Sequence, residues 1–305
     1  MTCAGVALAA LSCAGQSAVP SPSPGASTPL RPALSDPCGG SQELLKKYLS
    51  ASPCVFVRGQ ASLQMTYSGT NVPVVVSEGP QASQVVESSH AFGYPGALLN
   101  VGVTPTSQVT IVLPSFSQIS STQKGVTAGA SDVEFRYKQF ISVDRKRGIL
   151  TGLLLTYEAP TGSPGLAAPG PAYEINPLVN VALNGARTIA ANFSFPVSNA
   201  TNSDGVARSW SFAPQGVVVW RSPGGTLLAG IVQYAFETHS TYLTFNAAQL
   251  LSRNFQVQGT YGGNDATVDY VNPIQDVAQA RATVYSRSFT IGISYLVGNS
   301  EPLSP

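Results

Sequence analysis

Two histidines, His90 and His239, are the side chains of this 305-residue chain best suited to acid–base chemistry. Ser240 follows His239 directly, and a Ser beside a His could supply the nucleophile and the base of a hydrolase. Successive residues of a strand point to opposite faces, so this pair forms no dyad unless the strand bends. The sequence also lacks Gly-x-Ser-x-Gly, His-Glu-x-x-His, a phosphate loop and the dinucleotide glycine pattern. We therefore expect ordinary loop histidines, no catalytic residue and no enzymatic activity.

Carboxylates and cysteines make only a weak case for a metal site. Asp265 and Asp269, beside Asn264, carry the oxygen ligands that a hard cation prefers, but a solvated loop is the simpler interpretation. The four cysteines do not have metal-ligand spacing with a nearby His. We predict no metal and no cofactor.

Charge is scarce throughout the chain. The chain has sixteen Lys and Arg and fifteen Asp and Glu. Charged residues make up 10% of the sequence, against about 25% in an ordinary soluble domain. A nucleic-acid partner would require a basic stripe, so none is predicted. No apolar run reaches the roughly 20 residues of a membrane-spanning helix. With 29 Gly and 23 Pro, long helices are disfavoured, and strands must supply the core.

Alternation of polar and apolar residues with a period of two is the strongest signal in the sequence. In the last predicted strand Phe289, Ile291, Ile293 and Tyr295 alternate with small or polar residues. We predict twelve strands, at residues 55–68, 94–103, 107–115, 131–144, 148–158, 172–184, 187–197, 208–220, 225–237, 241–252, 255–262 and 284–298.

The connections between these strands alternate in length. Short turns such as 104–106, 145–147 and 253–254 alternate with long segments at 69–93, 116–130, 159–171, 198–207 and 263–283. An even number of strands with this arrangement is typical of an outer-membrane up-and-down antiparallel β-barrel, with both chain termini on the short-turn, periplasmic side. The predicted fold class is therefore all-β, a transmembrane barrel of about twelve strands preceded by a short N-terminal helix.

Aromatic residues cluster near both ends of the predicted strands, as in the two girdles of a lipid-facing barrel. The candidate girdle residues are Tyr67, Tyr94, Tyr157, Tyr173, Trp210, Trp220, Tyr261, Tyr285 and Tyr295. The alternative is a secreted β-sandwich, whose outward face would be rich in Lys and Glu. Charge is rare on the polar faces here, and a sandwich does not explain the loop alternation, so the barrel is favoured.

Seven charged side chains fall on the polar strand faces or at their edges, where a barrel has its lumen. They are Arg58, Asp132, Glu134, Arg136, Lys138, Glu158 and Glu174. Inside a barrel they would set the polarity and selectivity of the passage. Alternatively they form a closed network of ion pairs that fills a narrow barrel. A narrow pore is slightly favoured.

The first 54 residues are predicted to lie outside the barrel wall. Residues 1–18 resemble a secretory signal peptide; whether its start lies further upstream and whether Cys13 is lipidated are left open. Residues 19–37 form a Pro/Ser-rich linker. Residues 38–54 form a short helix flanked by Cys38 and Cys54, which a disulfide would close in an oxidising compartment; two free thiols are the alternative. The barrel then covers 55–298, and 299–305 is a tail.

Two stretches resemble a known family. They are Ala130–Phe140 (ASDVEFRYKQF) and the end of the following strand, Tyr157–Gly162 (YEAPTG). They are similar to the meta-pathway of phenol degradation family of transporter-like outer-membrane barrels, although Ser131 stands where Gly is expected. The resemblance implies uptake of small hydrophobic or aromatic solutes. It also marks Asp132, Arg136 and Lys138 as lumen-side motif positions.

The expected function is passage of small solutes, hydrophobic or aromatic ones among them, across the bacterial cell outer membrane. The expected partners are outer-membrane lipid and the small-molecule solute, while the oligomeric state stays open. One alternative is a non-conducting structural or partner-binding barrel with long extracellular loops. The second alternative is an outer-membrane hydrolase that uses His90 or His239.

Overall fold

The computed structural model describes residues 38, 43–77, 83–121, 125–164, 166–184, 188–201, 207–236, 240–270 and 280–298. All of them belong to the second of two compact units, Asp36–Pro305. The predicted signal peptide, linker and C-terminal tail lie outside the described residues.

Strands account for most of the described structure, as the period-two pattern indicates. The single helix, α1, spans Glu43–Tyr48, and in the described part no helix is long and apolar enough to cross a membrane. The strand segments are β1 (Ala61–Ser77), β2 (Ser83–Thr104), β3 (Ser107–Leu113), β4 (Phe116–Ser121), β5 (Gly125–Ala130), β6 (Val133–Asp144), β7 (Ile149–Ala159), β8 (Ala172–Ala182), β9 (Ile189–Ser194), β10 (Val197–Thr201), β11 (Arg208–Phe212), β12 (Gln215–Arg221), β13 (Thr226–Ala235), β14 (Ser240–Ser252), β15 (Phe255–Tyr270) and β16 (Ala280–Val297).

The described segments close into a ring of twelve antiparallel strands. The hydrogen-bonded order runs β1-β16-β15-β14-β13-β12-β9-β8-β7-β6-β3-β2, and β2 pairs back to β1. Ala61 shows the closure, because it lies opposite Val297 on one side and Val101 on the other. Neighbouring strands in the ring follow one another along the chain, so the topology is up-and-down. The prediction of an all-β, twelve-stranded barrel with a short N-terminal helix is confirmed.

Four strands of the ring are each interrupted once, which divides them into two segments. The breaks fall between β3 and β4, β5 and β6, β9 and β10, and β11 and β12. Three of them contain proline, at Pro114, Pro196 and Pro214, and proline has no N–H to donate across the ladder. At the fourth, the Ser131 amide donates to the Ser115 carbonyl oxygen at 2.8 Å, which keeps the two chains together.

The first barrel strand begins later than predicted. Residues 55–60 do not form a strand, and β1 starts at Ala61. Gly59 has a φ of +86°, a left-handed conformation that glycine adopts without strain and that turns the chain into the wall. Arg58 lies in this turn with an exposed side chain, and its amide donates to Thr104 at 3.2 Å. Arg58 therefore lies in a turn and not on the polar face of a strand, because residues in a turn do not keep the strand's alternation.

Most of the predicted long loops are also strand. β1 continues to Ser77, β2 begins at Ser83, β15 continues to Tyr270 and β16 begins at Ala280. Of the five long connections, 159–171 is the one without strand beyond Ala159 in the described residues. Where a hairpin extends past the membrane, both faces contact water. Backbone pairing can then continue without the alternation of residues that reveals a strand in the sequence.

Side chains on the outer face of the barrel wall are apolar and exposed, whereas those on the inner face are buried. On β16, Ile291, Ile293 and Tyr295 are 58%, 43% and 51% exposed and point outward. Ser294 and Leu296, which alternate with them, are 4% and 2% exposed and point inward. Aromatic rings meet on the outer face, where Tyr157 lies 5.2 Å from Tyr173 between ring centroids. An exposed apolar band of this kind is what a lipid-facing barrel presents.

Candidate functional site

The lumen contains residues 43–60, which we call the plug segment. α1 begins with Glu43 and ends with two basic residues, Lys46 and Lys47, so its end charges suit the helix dipole. A six-residue helix is not stable in water by itself, so packing against the wall must hold it. Cys38 and Cys54 are joined by a disulfide with a Cα–Cα distance of 5.3 Å, which ties the start of this region to its middle.

Apolar packing fills the short-turn end of the lumen. Leu45 and Leu49 of the plug segment, 0% and 5% exposed, lie against inward-facing side chains of three neighbouring strands. Those wall residues are Val217, Val219, Leu227, Ala229 and Ala248. Leu44 and Phe56 pack on Leu296 in a separate cluster. Burying one such side chain contributes about 1.5–3 kcal/mol, so this packing holds the plug segment in place.

The charged groups of the plug segment satisfy one another. The Lys47 ammonium is ion-paired with the Glu43 carboxylate and also donates to Gln60 Oε1 at 3.1 Å. Gln60 Nε2 donates to the second Glu43 oxygen at 2.8 Å. Each member is at most 7% exposed. A buried ion pair is tolerated when hydrogen bonds complete its shell, as they do here.

Polar contacts join the plug segment to the wall. Lys138 Nζ on β6 donates to the Ser52 carbonyl oxygen at 3.1 Å, and the Phe56 amide donates to Gln108 Oε1 at 2.9 Å. The Gly102 amide donates to the Gln60 carbonyl oxygen at 2.9 Å. These contacts and the apolar packing hold the plug segment in the barrel, and its last residue, Gln60, continues directly into β1 at Ala61.

Two adjoining cavities remain in the lumen. The inner cavity, about 250 Å³, lies between the plug segment and the wall. The outer chamber, about 480 Å³, extends from Ser50 toward the end of the barrel with the long hairpins. Residues that line both cavities are Ser50, Arg136, Leu154 and Gln215. A path through the barrel would therefore run from the chamber into the inner cavity and stop at the plug segment.

Four of the predicted lumen residues line the outer chamber. Glu134 and Arg136 form a two-pronged ion pair on β6, in which Arg136 Nη2 lies 3.0 Å from Glu134 Oε2. Glu158 and Glu174 also line the chamber, and Glu174 accepts a hydrogen bond from Asn176 at 3.4 Å. Because the one guanidinium is paired with Glu134, these two carboxylates make the described chamber wall acidic.

Lys138 and Asp132 have other surroundings. Lys138, 6% exposed, lines the inner cavity. Asp132, 8% exposed, accepts the amides of Gly162 and Ala168 at 2.7 and 2.6 Å and so anchors the connection after β7. Glu134, Arg136, Lys138, Glu158 and Glu174 therefore border the two cavities, whereas Asp132 holds a loop and Arg58 lies in a turn.

Tyr48 is the one aromatic ring of α1, and it faces the inner cavity. Burial raises the pKa of its phenol above the ordinary 10.0, and a smaller, opposing effect comes from a hydrogen bond with Thr260. The phenol is therefore neutral at physiological pH and can act as a hydrogen-bond donor in this cavity.

The candidate girdle residues are exposed where their side chains are described. Tyr67, Tyr94, Tyr157 and Tyr173 are 36%, 46%, 38% and 49% exposed, and Trp210, Trp220, Tyr261 and Tyr295 are 69%, 42%, 56% and 51% exposed. The side chain of Tyr285 lies outside the described part.

The residues considered for catalysis or metal binding are not brought into a site. His90 is exposed on β2, and His239 lies outside the described residues, as do the side chains of Asp265 and Asp269. In the described part of the chain no group of three His, Cys, Asp or Glu side chains could hold a metal ion.

Sequence reasoning missed the apolar lumen wall, although the sequence carries a signal for it. Leu153–Leu155 on β7 and Val217–Trp220 on β12 are uninterrupted apolar runs. On a strand such a run makes both faces apolar, one for lipid and one for something inside. The run in β12 lies against Leu45 and Leu49 of the plug segment.

Comparison with known proteins supports the fold. No family model matches the chain, and no curated protein matches it either. The structure is similar to an outer membrane channel from Pseudomonas putida F1, with a TM-score of 0.56 and 14% identity, covering 79% of this chain and 97% of that one. A FadL homologue from Pseudomonas aeruginosa is also similar in structure, with a TM-score of 0.44 and 10% identity, covering 79% of this chain and 91% of that one. At these identities the similarity concerns the barrel fold, and only the first TM-score is high enough to support it.

Proposed function

We propose that this protein is a channel of the bacterial outer membrane through which small solutes pass, hydrophobic or aromatic ones among them. The observation that carries the proposal is the pair of adjoining lumen cavities, which lead from the long-hairpin end to a plug segment that continues into β1 at one end and is otherwise held to the wall by packing and hydrogen bonds. Such a segment can shift, whereas a wall of paired strands cannot.

The outer face of the ring supports an outer-membrane location. Apolar side chains such as Ile291 and Phe245, 58% and 66% exposed, would be costly in water over so large an area. The described twelve-strand ring is closed by the pairing of β1 with β2, and closure is the condition for strands to lie in a bilayer. In this location the short turns face the periplasm and the long hairpins face the outside.

The inner cavity supports the finer proposal about hydrophobic or aromatic solutes. Leu98, Leu154, Val217 and Ile231 line it beside the rings of Tyr48 and Phe56. These side chains can contact an apolar body, and the polar residues that make up the rest of the lining can orient its polar groups. The motif around Asp132 to Lys138, similar to that of the phenol meta-pathway family, agrees with this solute class.

The channel proposal is tested by reconstitution. Folded protein, verified by a shift in gel mobility on boiling, is placed in liposomes, and pentose-driven swelling and single-channel conductance are measured. Leu45→Ala removes plug packing worth about 2–5 kcal/mol, and we expect it to raise both signals. The matched control is Leu243→Ala, which truncates an outward leucine that is 52% exposed. If neither the wild type nor Leu45→Ala conducts ions or solute, the channel proposal fails.

A non-conducting, partner-binding barrel is the second candidate, and the close fit of the plug segment favours it. Leu45 and Gln60 are 0% and 1% exposed, so the short-turn end of the lumen is filled. A barrel that stays closed in Leu45→Ala, with its gel mobility shift intact, is the result that this candidate requires. No described residue favours the hydrolase alternative.

A further inference from the structure

Lys138 has a buried amino group without a carboxylate partner in the described structure. Its side chain is 6% exposed and lines the inner cavity. Its ammonium donates to the Ser52 carbonyl oxygen at 3.1 Å. The described residues form three ion pairs, Lys47–Glu43, Arg136–Glu134 and Arg147–Asp144, and none includes Lys138. An ammonium group has three donors, so two are left for a ligand.

The other charges of the inner cavity are already neutralised. Lys47 and Arg136 line it too, but each is paired with a carboxylate on its own segment. Glu158 and Glu174, the acidic groups of the outer chamber, do not line the inner cavity. Lys138 is therefore the one basic group in the described wall of this cavity that has no carboxylate partner.

The inner cavity also has apolar side chains that an apolar body could contact, although polar residues make up more than half of its lining. Leu98, Leu154, Val217 and Ile231 contribute aliphatic wall, and Phe56 contributes a ring. Gln256, 0% exposed, adds a side-chain oxygen that has no hydrogen-bond donor in the described structure. The volume of about 250 Å³ is below the roughly 300–1,000 Å³ of pockets for drug-sized ligands, so the occupant is small.

We propose that the inner cavity binds small monocarboxylates with an apolar body, whose carboxylate pairs with Lys138. This inference rests on the proposed function, since a lumen site meets solutes only if the barrel admits them. Ser52 belongs to the plug segment, so a carboxylate that binds the remaining donors and draws the Lys138 amino group away from Ser52 breaks one contact that holds the plug segment to the wall. Arrival of the solute is thereby coupled to release of the plug segment.

Binding of benzoate and of its neutral counterpart benzamide to the wild-type, full-length protein is the first test, by calorimetry in detergent. The two ligands have the same ring and differ in charge, so we expect benzoate to bind at least about tenfold more tightly. Acetate and chloride carry the charge without the ring, and we expect them to bind more weakly than benzoate. If the wild-type protein binds benzoate no more tightly than benzamide, or no more tightly than chloride, the proposal is overturned before any variant is made.

Variants then locate the charge. Lys138→Gln keeps a donor for Ser52 but removes the charge, and we expect benzoate affinity to fall about tenfold while benzamide affinity is unchanged. Lys138→Arg keeps the charge, and we expect it to retain most of the affinity. Lys146→Gln removes an exposed turn charge and is the matched control. The mobility shift on boiling checks that each variant is folded. Unchanged benzoate affinity in folded Lys138→Gln overturns the assignment.

Failure of this inference can be told apart from failure of the channel. If liposomes pass pentose but benzoate binds no better than benzamide, the channel stands and the carboxylate site falls. If benzoate binds through Lys138 but no solute passes, the site stands in a closed barrel and the channel proposal falls.

Discussion

Gly102 on β2 lies directly against the carbonyl group of Val57 in the plug segment. A Cβ atom added at Gly102 would stand 1.9 Å from the Val57 carbonyl oxygen and 2.5 Å from that of Phe56. Both are backbone atoms, which cannot turn aside as a side chain can. The glycine therefore lets the plug segment approach the wall closely enough for the Gly102 amide to donate to Gln60 at 2.9 Å.

Gly102→Ala is expected to displace the plug segment while leaving the ring closed. Lys47 is 7% exposed, so trypsin should cut after it slowly in the wild type and faster in the variant, as mass spectrometry of the fragments would show. Gly230→Ala is the matched control, because an added Cβ there meets no atom within 4 Å. Wild-type protection of Lys47 in folded Gly102→Ala would contradict the close approach.

Glu43→Ala is expected to destabilise the plug segment by about 3–5 kcal/mol, because it leaves Lys47 as a buried cation without its carboxylate. Amide hydrogen exchange across α1 measures this as faster opening. The double variant Glu43→Leu with Lys47→Leu removes both charges and should recover much of the loss. Arg147→Gln breaks an exposed pair, 79% and 43% exposed, and should change stability by less than about 1 kcal/mol. Equal exchange rates in all the variants would refute a role for the buried pair.

Replacing Glu158 and Glu174 together with Gln is expected to shift ion selectivity toward anions. The two carboxylates line the outer chamber, while its one arginine is paired with Glu134. We expect the wild-type channel to prefer K⁺ to Cl⁻, and the double variant to lower this preference by roughly three- to tenfold. Reversal potentials in a KCl gradient measure the ratio. Asp144→Asn, at the end of β6 and outside the chamber lining, is the control, and a shift of the same size there would remove the assignment.

Ile291→Arg is expected to destabilise the barrel in a bilayer by about 2–4 kcal/mol, since Ile291 points outward from the middle of β16 and is 58% exposed. Urea unfolding in lipid vesicles measures the loss. Val126→Arg is the matched control, because Val126 is 65% exposed on β5, in the hairpin that extends beyond the ring. Equal losses for the two variants would mean that the membrane boundary does not fall between these positions.

The strand count could be predicted because alternation is local. Phe289, Ile291 and Ile293 alternate with small or polar residues because the two faces of the strand meet different environments. This pattern does not depend on which strands lie beside it. The boundaries of β1 and β15 could not be predicted in the same way. The hairpin ends of these strands contact water on both faces, so backbone pairing extends them without leaving a pattern in the side chains.

The candidate site was only partly accessible from the sequence. Glu134, Arg136 and Lys138 alternate on β6, which places them on the inner face, and the structure brings them to the two cavities. The sequence did not show that Arg136 pairs with Glu134 while Lys138 donates to Ser52, 86 residues away. Such partners depend on which distant segment fills the lumen, and spacing along one strand carries no information about that.

The sequence by itself determined the wall: an even number of strands, their apolar outward faces and the order in which they pair. It also predicted a short helix within residues 38–54, where the structure has α1 at Glu43–Tyr48 with Leu44 and Leu45 buried. Only the tertiary structure decided that this helix lies inside the barrel. An apolar helix face needs an apolar surface but does not specify one, and the surface here is assembled by ring closure from β12, β13 and β14, about 170 or more residues further along the chain. The two cavities, the Lys138 amino group without a carboxylate partner and the contacts that keep the plug segment in place all follow from the position of the helix inside the barrel.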